Sequence, residues 1–380
     1  MFKRTLLSFT MVAVLLGSLV FTASAAPGND LRILPIIVNG HKVSFPDTEP
    51  YINADGRTMV PVRFVSEKLG ADVGWQDDTR TVTVQYGMKQ ISMTIGSRDV
   101  TVDGHVSTLD TAAEMYEGRA MVPLRFVSEV LGSEVNYDRG AHAVQVMDAD
   151  YRAKVDAGIV RLDPWGREYS DVEDELWLRL SDMEGSIFYD IYDIARPQSK
   201  KFMQEERFWD YKLHADQWSE HIKAYYAAQL NVDYRTIDEK AFTEVLLANM
   251  GGRSDVEFAQ LKAWIKEYVA WVKKNKIITR GYADPEPSYV FGSGSLNRIW
   301  VPVKFKFFVL SAEDTSQVFL DNWETTTYSE PVELKKNVWY EGYASIRMDT
   351  NYATQQHRHY ALATIHNMYF IGHHIYSIAN

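Results

Sequence analysis

The chain has 380 residues, 46% hydrophobic and 24% charged, with 40 basic and 51 acidic side chains and a formal charge of -11. Those proportions exclude a disordered or collagen-like chain, and the acidic balance argues against duplex nucleic acid, whose phosphates need a basic face. The chain has no cysteine, which removes disulfides, Cys-ligated zinc, iron–sulfur clusters and thiol catalysis. At roughly 150 residues per domain, the length predicts two or three domains.

Residues 1–25 read as a signal peptide. Lys3 and Arg4 precede an almost wholly apolar stretch, Leu6 to Val20, and Ala23-Ser24-Ala25 has the small-x-small form of a cleavage site. An anchor helix is the alternative, but the stretch is short for a hydrocarbon core about 30 Å thick. Cleavage after Ala25 removes Lys3 and Arg4 and takes the formal charge from -11 to -13. No cysteine follows to carry a lipid, and no second long apolar run predicts a membrane span after cleavage. The expected location is secreted and extracellular, with cell-wall association as an option.

An internal repeat follows. Residues 56–73, GRTMVPVRFVSEKLGADV, and 118–135, GRAMVPLRFVSEVLGSEV, share 13 of 18 positions at an offset of 62. The reading places repeat 1 at residues 31–86 and repeat 2 at 90–147. In repeat 1, alternating segments Ile33–Val38 and Lys42–Phe45 flank the hairpin dipeptide Asn39-Gly40. In repeat 2, Ile91–Ile95 and Asp99–Val102 accompany Asp103-Gly104. Gly56 and Arg57, matched by Gly118 and Arg119, open the shared motif. Pro61 and Pro123 suit the first turn of a helix. Val62, Val65 and Leu69, like Leu124, Val127 and Leu131, put one helical stripe on a core. Gly70 and Gly132 sit where a left-handed C-terminal cap belongs. Trp75 and Tyr137 hold equivalent strand positions and are expected in the core. Each repeat is predicted to be an antiparallel sheet wrapped on one short helix. Arg63 and Arg125 are each followed one turn later by a glutamate, so a structural ion pair is expected rather than an anion site.

On Asn39-Gly40, on residues 56–65, on Leu69-Gly70-Ala71 and Val73-Gly74-Trp75, and on their second-repeat equivalents, this region resembles the copper amine oxidase N-terminal, or stalk, domain family. In the oxidases this domain is an appendage outside the catalytic core. Elsewhere the family occurs in exported bacterial proteins beside unrelated C-terminal domains. The resemblance therefore implies a surface module and no activity. Asn136-Tyr137-Asp138 has the form of the oxidase tripeptide whose tyrosine becomes topaquinone, and His357-Arg358-His359 has the form of a copper-ligand pair. Tyr137 is nevertheless the repeat equivalent of Trp75, and about 230 residues after the repeats are too few for the oxidase catalytic domain. The chain is not expected to be a copper amine oxidase.

Composition shifts near residue 150. Residues 26–150 hold 8 aromatics, whereas 151–380 hold 38, including nine of the ten tryptophans. Met147–Tyr169 reads as a link punctuated by Gly158, Pro164 and Gly166. Helices are predicted from Val172 through Leu176 and Leu180 to Ile194, over Ser199–Leu230, over Ile237–Asn249, and from an N-cap at Ser254 through Val272 to Lys276. Strands follow at Ile299–Leu310, Val332–Met348 and His359–Ile378. Residues 151–380 are thus an aromatic-rich α+β domain, helices first and then a long-stranded antiparallel sheet, and the whole chain is α+β.

Its chemical candidates are few. His357, His359 and His366, with His373 and His374 beyond, are weak metal candidates, because two imidazoles on one strand face do not make the three or four ligands of a zinc site. His214 and His221 share a helix face near Glu205, Glu206 and Asp210, more in the manner of a solvated face than of an acid–base pair. Gly292-Ser293-Gly294-Ser295 lacks the Gly-x-Ser-x-Gly form. Trp300, Trp323, Trp339, Tyr340 and Tyr343 could stack on sugar rings. No catalytic residue, cofactor or firm metal site is expected. The expected function is an exported, non-catalytic envelope protein whose stalk domains display a C-terminal domain for an envelope component or extracellular partner. The alternatives are an envelope hydrolase or other enzyme with its site in 151–380, and a glycan- or metal-binding surface protein.

Overall fold

The computed structural model describes residues 32–171, 178–182, 211–251, 255–292, 298–320, 334–349 and 376–377. The architecture is α+β. The repeat region runs β1 (Ile36–Val38), β2 (His41–Lys42), β3 (Tyr51–Ile52), β4 (Thr58–Pro61), α1 (Val62–Lys68), β5 (Asp72–Gln76) and β6 (Thr81–Tyr86). It continues with β7 (Lys89–Thr94), β8 (Asp99–Val102), β9 (His105–Thr108), β10 (Glu114–Tyr116), β11 (Arg119–Pro123), α2 (Leu124–Val130), β12 (Ser133–Asp138) and β13 (Ala143–Asp148).

The two repeats share their sheets. The central motif strands pair with each other, antiparallel and self-complementary, as Met59↔Pro123, Val60↔Val122 and Pro61↔Met121. A local two-fold axis therefore passes through the Val60–Val122 pair, the arrangement expected when identical segments meet. Asn39 and Gly40, and Asp103 and Gly104, all take positive φ, as a two-residue hairpin turn requires. Each hairpin lies in the sheet of the other repeat. Strands β8 and β9 extend the sheet β5-β6-β7-β8-β9, whereas β1 and β2 extend β12-β13-β1-β2. The hairpin arms around Asp103-Gly104 are thus β8 and β9. The Ile91–Ile95 segment lies in β7, an added strand between β6 and β8. Without such an insert, β1 lies directly beside β13 and parallel to it, one parallel pair in sheets whose other pairs in the repeat region are antiparallel. Gly70 and Gly132, at φ 82 and 84, end the two helices.

Alternation explains how β1 can be apolar throughout. Ile36 and Val38 enter the repeat core, while Ile37 turns to the opposite face against Trp165, Lys223 and Pro285. Val144 and Val146 of β13 likewise face the repeat core, and Ala141 and Ala143 join the core of the second domain. One sheet of the repeat region is therefore covered on both faces.

The Met147–Tyr169 segment is not a bare link. It contains α3 (Ala149–Asp156), whose first turn is capped by the Asp148 carboxylate accepting from Tyr151 N at 2.7 Å, and it buries Trp165 and Arg167. Next come β14 (Tyr169–Asp171) and β15 (Leu178–Leu180), paired antiparallel. This overturns the helix expected through Leu180. The i, i+4 spacing of Leu176 and Leu180 fits a helix, but Leu180 is buried from a strand, its amide bonded to the Tyr289 hydroxyl at 3.1 Å. The rest of that expected helix, and residues 199–210 of the next, lie outside the described residues.

Three helices follow: α4 (Tyr211–Leu230), α5 (Glu239–Ala248) and α6 (Asp255–Lys274). Helix α6 buries Leu261, Ile265, Tyr268 and Val272 at three-to-four spacing. The last sheet comprises β16 (Ile278–Pro285), β17 (Phe291–Gly292), β18 (Arg298–Ser311), β19 (Trp339–Asp349) and β20 (Tyr376–Ser377), with a 3-10 turn at Pro287–Tyr289. Strand β19 starts seven residues after the expected Val332, and Asn337 just before it takes a positive φ of 62. Helix α4 packs on β16 and on its neighbour β18, whose Phe305 meets Tyr226 edge-on at 4.7 Å.

Candidate functional site

Among the described residues, polar side chains gather around concavities in two regions. The first lies where the repeat region meets the second domain. Lys42 of β2 reaches Asp284 at 2.6 Å and Glu286 at 2.9 Å. Arg167 bonds Glu286 and, at 2.7 Å, Asp182. Asp182 also accepts the Lys42 amide at 2.6 Å. These groups are nearly free of solvent, so their charges are held by one another. Burial raises the Glu286 carboxyl, but Arg167 and Lys42 outweigh it and hold it below its ordinary value. Burial likewise works against the Lys42 ammonium, and Asp284 and Glu286 reverse it upward. Asp163 is pushed up by burial, although Ser288 and the Trp165 and Arg167 amides bond to it. Around these residues lies a cavity of about 40 Å³.

Further pairs extend the seam. The Trp165 indole donates to Asp216 at 2.7 Å, and Lys212 bridges Asp216 and Asp138 at 2.7 and 2.8 Å. Lys306 donates to the Phe45 carbonyl at 2.6 Å, approaches Glu49 at 3.5 Å and sits 4.9 Å from the centre of the Trp339 ring. Burial drives this pair toward neutrality: the Glu49 carboxyl is pushed up to about 7 against the pull of Lys306, and the Lys306 ammonium is lowered.

The second place is a surface groove of about 320 Å³ where the first repeat meets the second, between α1 and β5 of the first and the β10–β11 turn of the second. Trp75 and Met115, 40% and 38% exposed, stand on its walls. Phe64 lies beside them, and Arg63, Asp77 and Arg119 bring polar groups. The Trp75 indole N–H donates to Asp77 at 3.2 Å. The Arg119 guanidinium lies 5.7 Å from the centre of the Phe64 ring and forks onto Asp47, its Nε 3.0 Å from both carboxylate oxygens.

Residues 37–146 match the family described as Copper amine oxidase N-terminal domain, in one stretch spanning both repeats. This stretch is similar to that family, and the match covers less than a third of the chain. A Brevibacillus choshinensis protein named "Protease inhibitor" is 26% identical over 147 residues, 39% of this chain and 44% of that relative. The chain thus spans less than half the length of that relative.

Within residues 37–146, the motif arginines do two jobs. Arg57 of the first repeat pairs with Asp110 of the second, and Arg119 of the second with Asp47 of the first. Arg63 and Arg125 stand 3.9 Å from Glu67 and Glu129, one helical turn on. Gly56 and Gly118 take positive φ in the turns before β4 and β11. Pro61 and Pro123 end strands and immediately precede the helices. Trp75 and Tyr137 are not core residues: they are 40% and 37% exposed. Both follow half-buried Val73 and Val135 on the same strand face, and those valines pack on the repeat core while Trp75 and Tyr137 do not join it. The Asn136-Tyr137-Asp138 tripeptide is part of the seam: the Tyr137 hydroxyl lies 3.3 Å from His142, and Asp138 caps the Gly140 and Ala141 amides while pairing with Lys212.

His214 stacks on Trp218, and His221 lies 2.9 Å from the Asn249 side chain, so the shared helix face is packed against neighbours. Tyr340 and Tyr343 are buried, and Trp339 lies against Tyr282, Phe308 and Lys306. Among the described residues, no group of three or more His, Asp or Glu is arranged to hold a metal. His357, His359, His366, His373, His374, Glu205, Glu206, Asp210, Trp323 and Ser293–Ser295 lie outside the described residues. Among the described residues no helix is long and apolar enough to cross a membrane. Sequence reasoning missed Lys42, Arg167, Glu286 and Lys306. The available signals were Asp163-x-Trp165-Gly166-Arg167, polar and aromatic residues crowded in a presumed link, and a lysine set between Phe305 and Phe307.

Proposed function

We propose that this is an exported, non-catalytic protein of the cell envelope, in which the repeat region and the second domain act as one body that holds a ligand or partner. One observation carries this reading. The titratable groups that converge between the domains are paired with opposite charges around a cavity of about 40 Å³, against about 300–1,000 Å³ for ordinary ligand pockets. Catalysis needs a group with a free proton or lone pair facing room for substrate. Here the charges hold surfaces together. The leader-like first 25 residues and the family's role as an appendage support the location. Fractionation of producing cells tests the reading. The chain is expected outside the cytoplasm with Ala26 at its N-terminus; a cytoplasmic chain retaining residues 1–25 contradicts it. The same preparation is expected to produce no peroxide from primary amines after copper loading.

A second reading, protease inhibition, is favoured by the name of the Brevibacillus relative. Inhibition of a panel of secreted proteases by the purified chain, at near-stoichiometric amounts, would move this reading to first place.

A further inference from the structure

The groove beside Trp75 remains open while the seam is filled. Large aromatic side chains are normally turned inward, and this one is 40% exposed with its indole N–H tied to Asp77 at 3.2 Å. The bond fixes the ring, so ordering it on binding costs little entropy. The groove volume, about 320 Å³, falls within the range of small-ligand sites.

The charges restrict the ligand class. Arg119 is occupied by Asp47, and Arg63 has Glu67 one turn away. Asp77 adds a negative charge, and the chain as a whole carries -11. An anion is therefore repelled on balance, and the groove offers no uncompensated carboxylate cluster to recruit a polycation. A neutral ligand with a flat apolar face and a hydroxylated edge matches every wall. Its C–H groups, slightly positive, meet the negative face of the indole. Its hydroxyls meet the planar donors of Arg63 and the acceptor oxygens of Asp77.

We propose that the groove binds a neutral carbohydrate, with one sugar ring stacked on Trp75 and its hydroxyls held by Arg63 and Asp77. The proposal rests on the envelope reading and supplies its partner class. It also moves the aromatic platform away from Tyr340 and Tyr343, which are buried in the second domain. The second-repeat equivalent, Tyr137, has its hydroxyl 3.3 Å from His142 and is flanked by the seam residue Asp138. Trp75 is accordingly the platform that counts.

The test is co-sedimentation of the purified chain, residues 26–380, with insoluble chitin, insoluble cellulose and cell-wall sacculi stripped of protein and acidic polymers. Retention by at least one of the three is expected. Trp75→Ala should weaken it at least about tenfold, whereas Trp75→Tyr, which keeps a stacking face, should stay within about threefold. Both substitutions are at an exposed site, and unchanged thermal melting confirms folding. No retention by any of the three, or equal retention of Trp75→Ala, overturns the proposal. So does binding to sacculi that disappears when their peptide stems are cut away, which would assign the groove to a peptide. The two readings fail separately. An envelope-located chain whose retention ignores Trp75 sinks only this proposal; a cytoplasmic chain that binds chitin through Trp75 sinks only the envelope reading.

Discussion

The two repeats carry nearly the same motif, yet their sheets meet different surroundings. The sheet built on the second repeat, β12-β13-β1-β2, has the repeat core on one face and the second domain on the other. The sheet built on the first, β5 to β9, turns one face outward, and all four residues of β9 are exposed. The difference lies outside the motif. The second repeat continues directly into α3, Trp165 and Arg167, which close over its sheet, while the first continues through β7 into its twin. Duplication supplied two equivalent faces; chain connectivity spent one on docking and left the other, with its Trp75 groove, to solvent.

The largest expected effect comes from breaking the docked face. Arg167→Ala removes the buried cation that pairs with Asp182 and that shares Glu286 with Lys42, and it should cost about 3–5 kcal/mol, the range for breaking a buried ion pair by removing one partner. Denaturant unfolding measures it. Its counterpart on the open side, Arg57→Ala, removes an ion pair with Asp110 that is about half exposed and should cost no more than about 1 kcal/mol. Equal losses would erase the asymmetry.

The shared core should behave symmetrically. Leu69 and Leu131, 6% and 4% exposed, occupy equivalent positions, so either substitution by alanine should cost about 2–5 kcal/mol. Losses below about 1 kcal/mol at both would mean that neither helix faces the core.

The seam should also respond to pH. Glu49 has an ordinary value of 4.5 in the unfolded chain and is raised to about 7 by burial in the folded one. Between those values the folded chain holds a proton that the unfolded chain has lost. The stability contributed is therefore fully present at low pH and is lost as pH rises through about 7, at about 1.4 kcal/mol per pH unit within that window. Glu49→Gln should flatten this part of the stability profile. A profile with the same slope in the variant would show that Glu49 is not the group responsible.

The smallest effect belongs to the helix surface pairs. Arg63→Ala and Arg125→Ala each lose one exposed i, i+4 contact at 3.9 Å, about 0.3–0.5 kcal/mol. A loss above about 1 kcal/mol at Arg63 alone would reveal a structural task that its exposed pair with Glu67 does not explain.

Much of the repeat domain was legible in the sequence because its signals are local: hairpin dipeptides with positive φ, helix stripes at three-to-four spacing, and glycines at helix ends. Helices α5 and α6 were legible for the same reason. What local pattern could not convey was pairing between distant segments. Nothing in Met59-Val60-Pro61 announces that it pairs with its own copy, and nothing in Asn39-Gly40 announces that its hairpin belongs to the sheet of the other repeat. Leu180 misled because a three-residue strand carries too little alternation to compete with a helical spacing. Trp75 misled because strand parity gives the face of a residue but not how far along that face the core extends. The seam was hidden because Lys42, Arg167 and Glu286 stand 119 to 244 residues apart, and each alone reads as a surface charge.

The repeat region and the second domain should unfold together, since Ala141, Ala143 and Trp165 belong to the second domain's core. Differential scanning calorimetry of the chain from residue 26, with and without Arg167→Ala, tests this most directly. A single transition is predicted, with calorimetric and van't Hoff enthalpies equal, moving as a whole to lower temperature in the variant. Two separate transitions in the unsubstituted chain, with the substitution shifting only one, would contradict it.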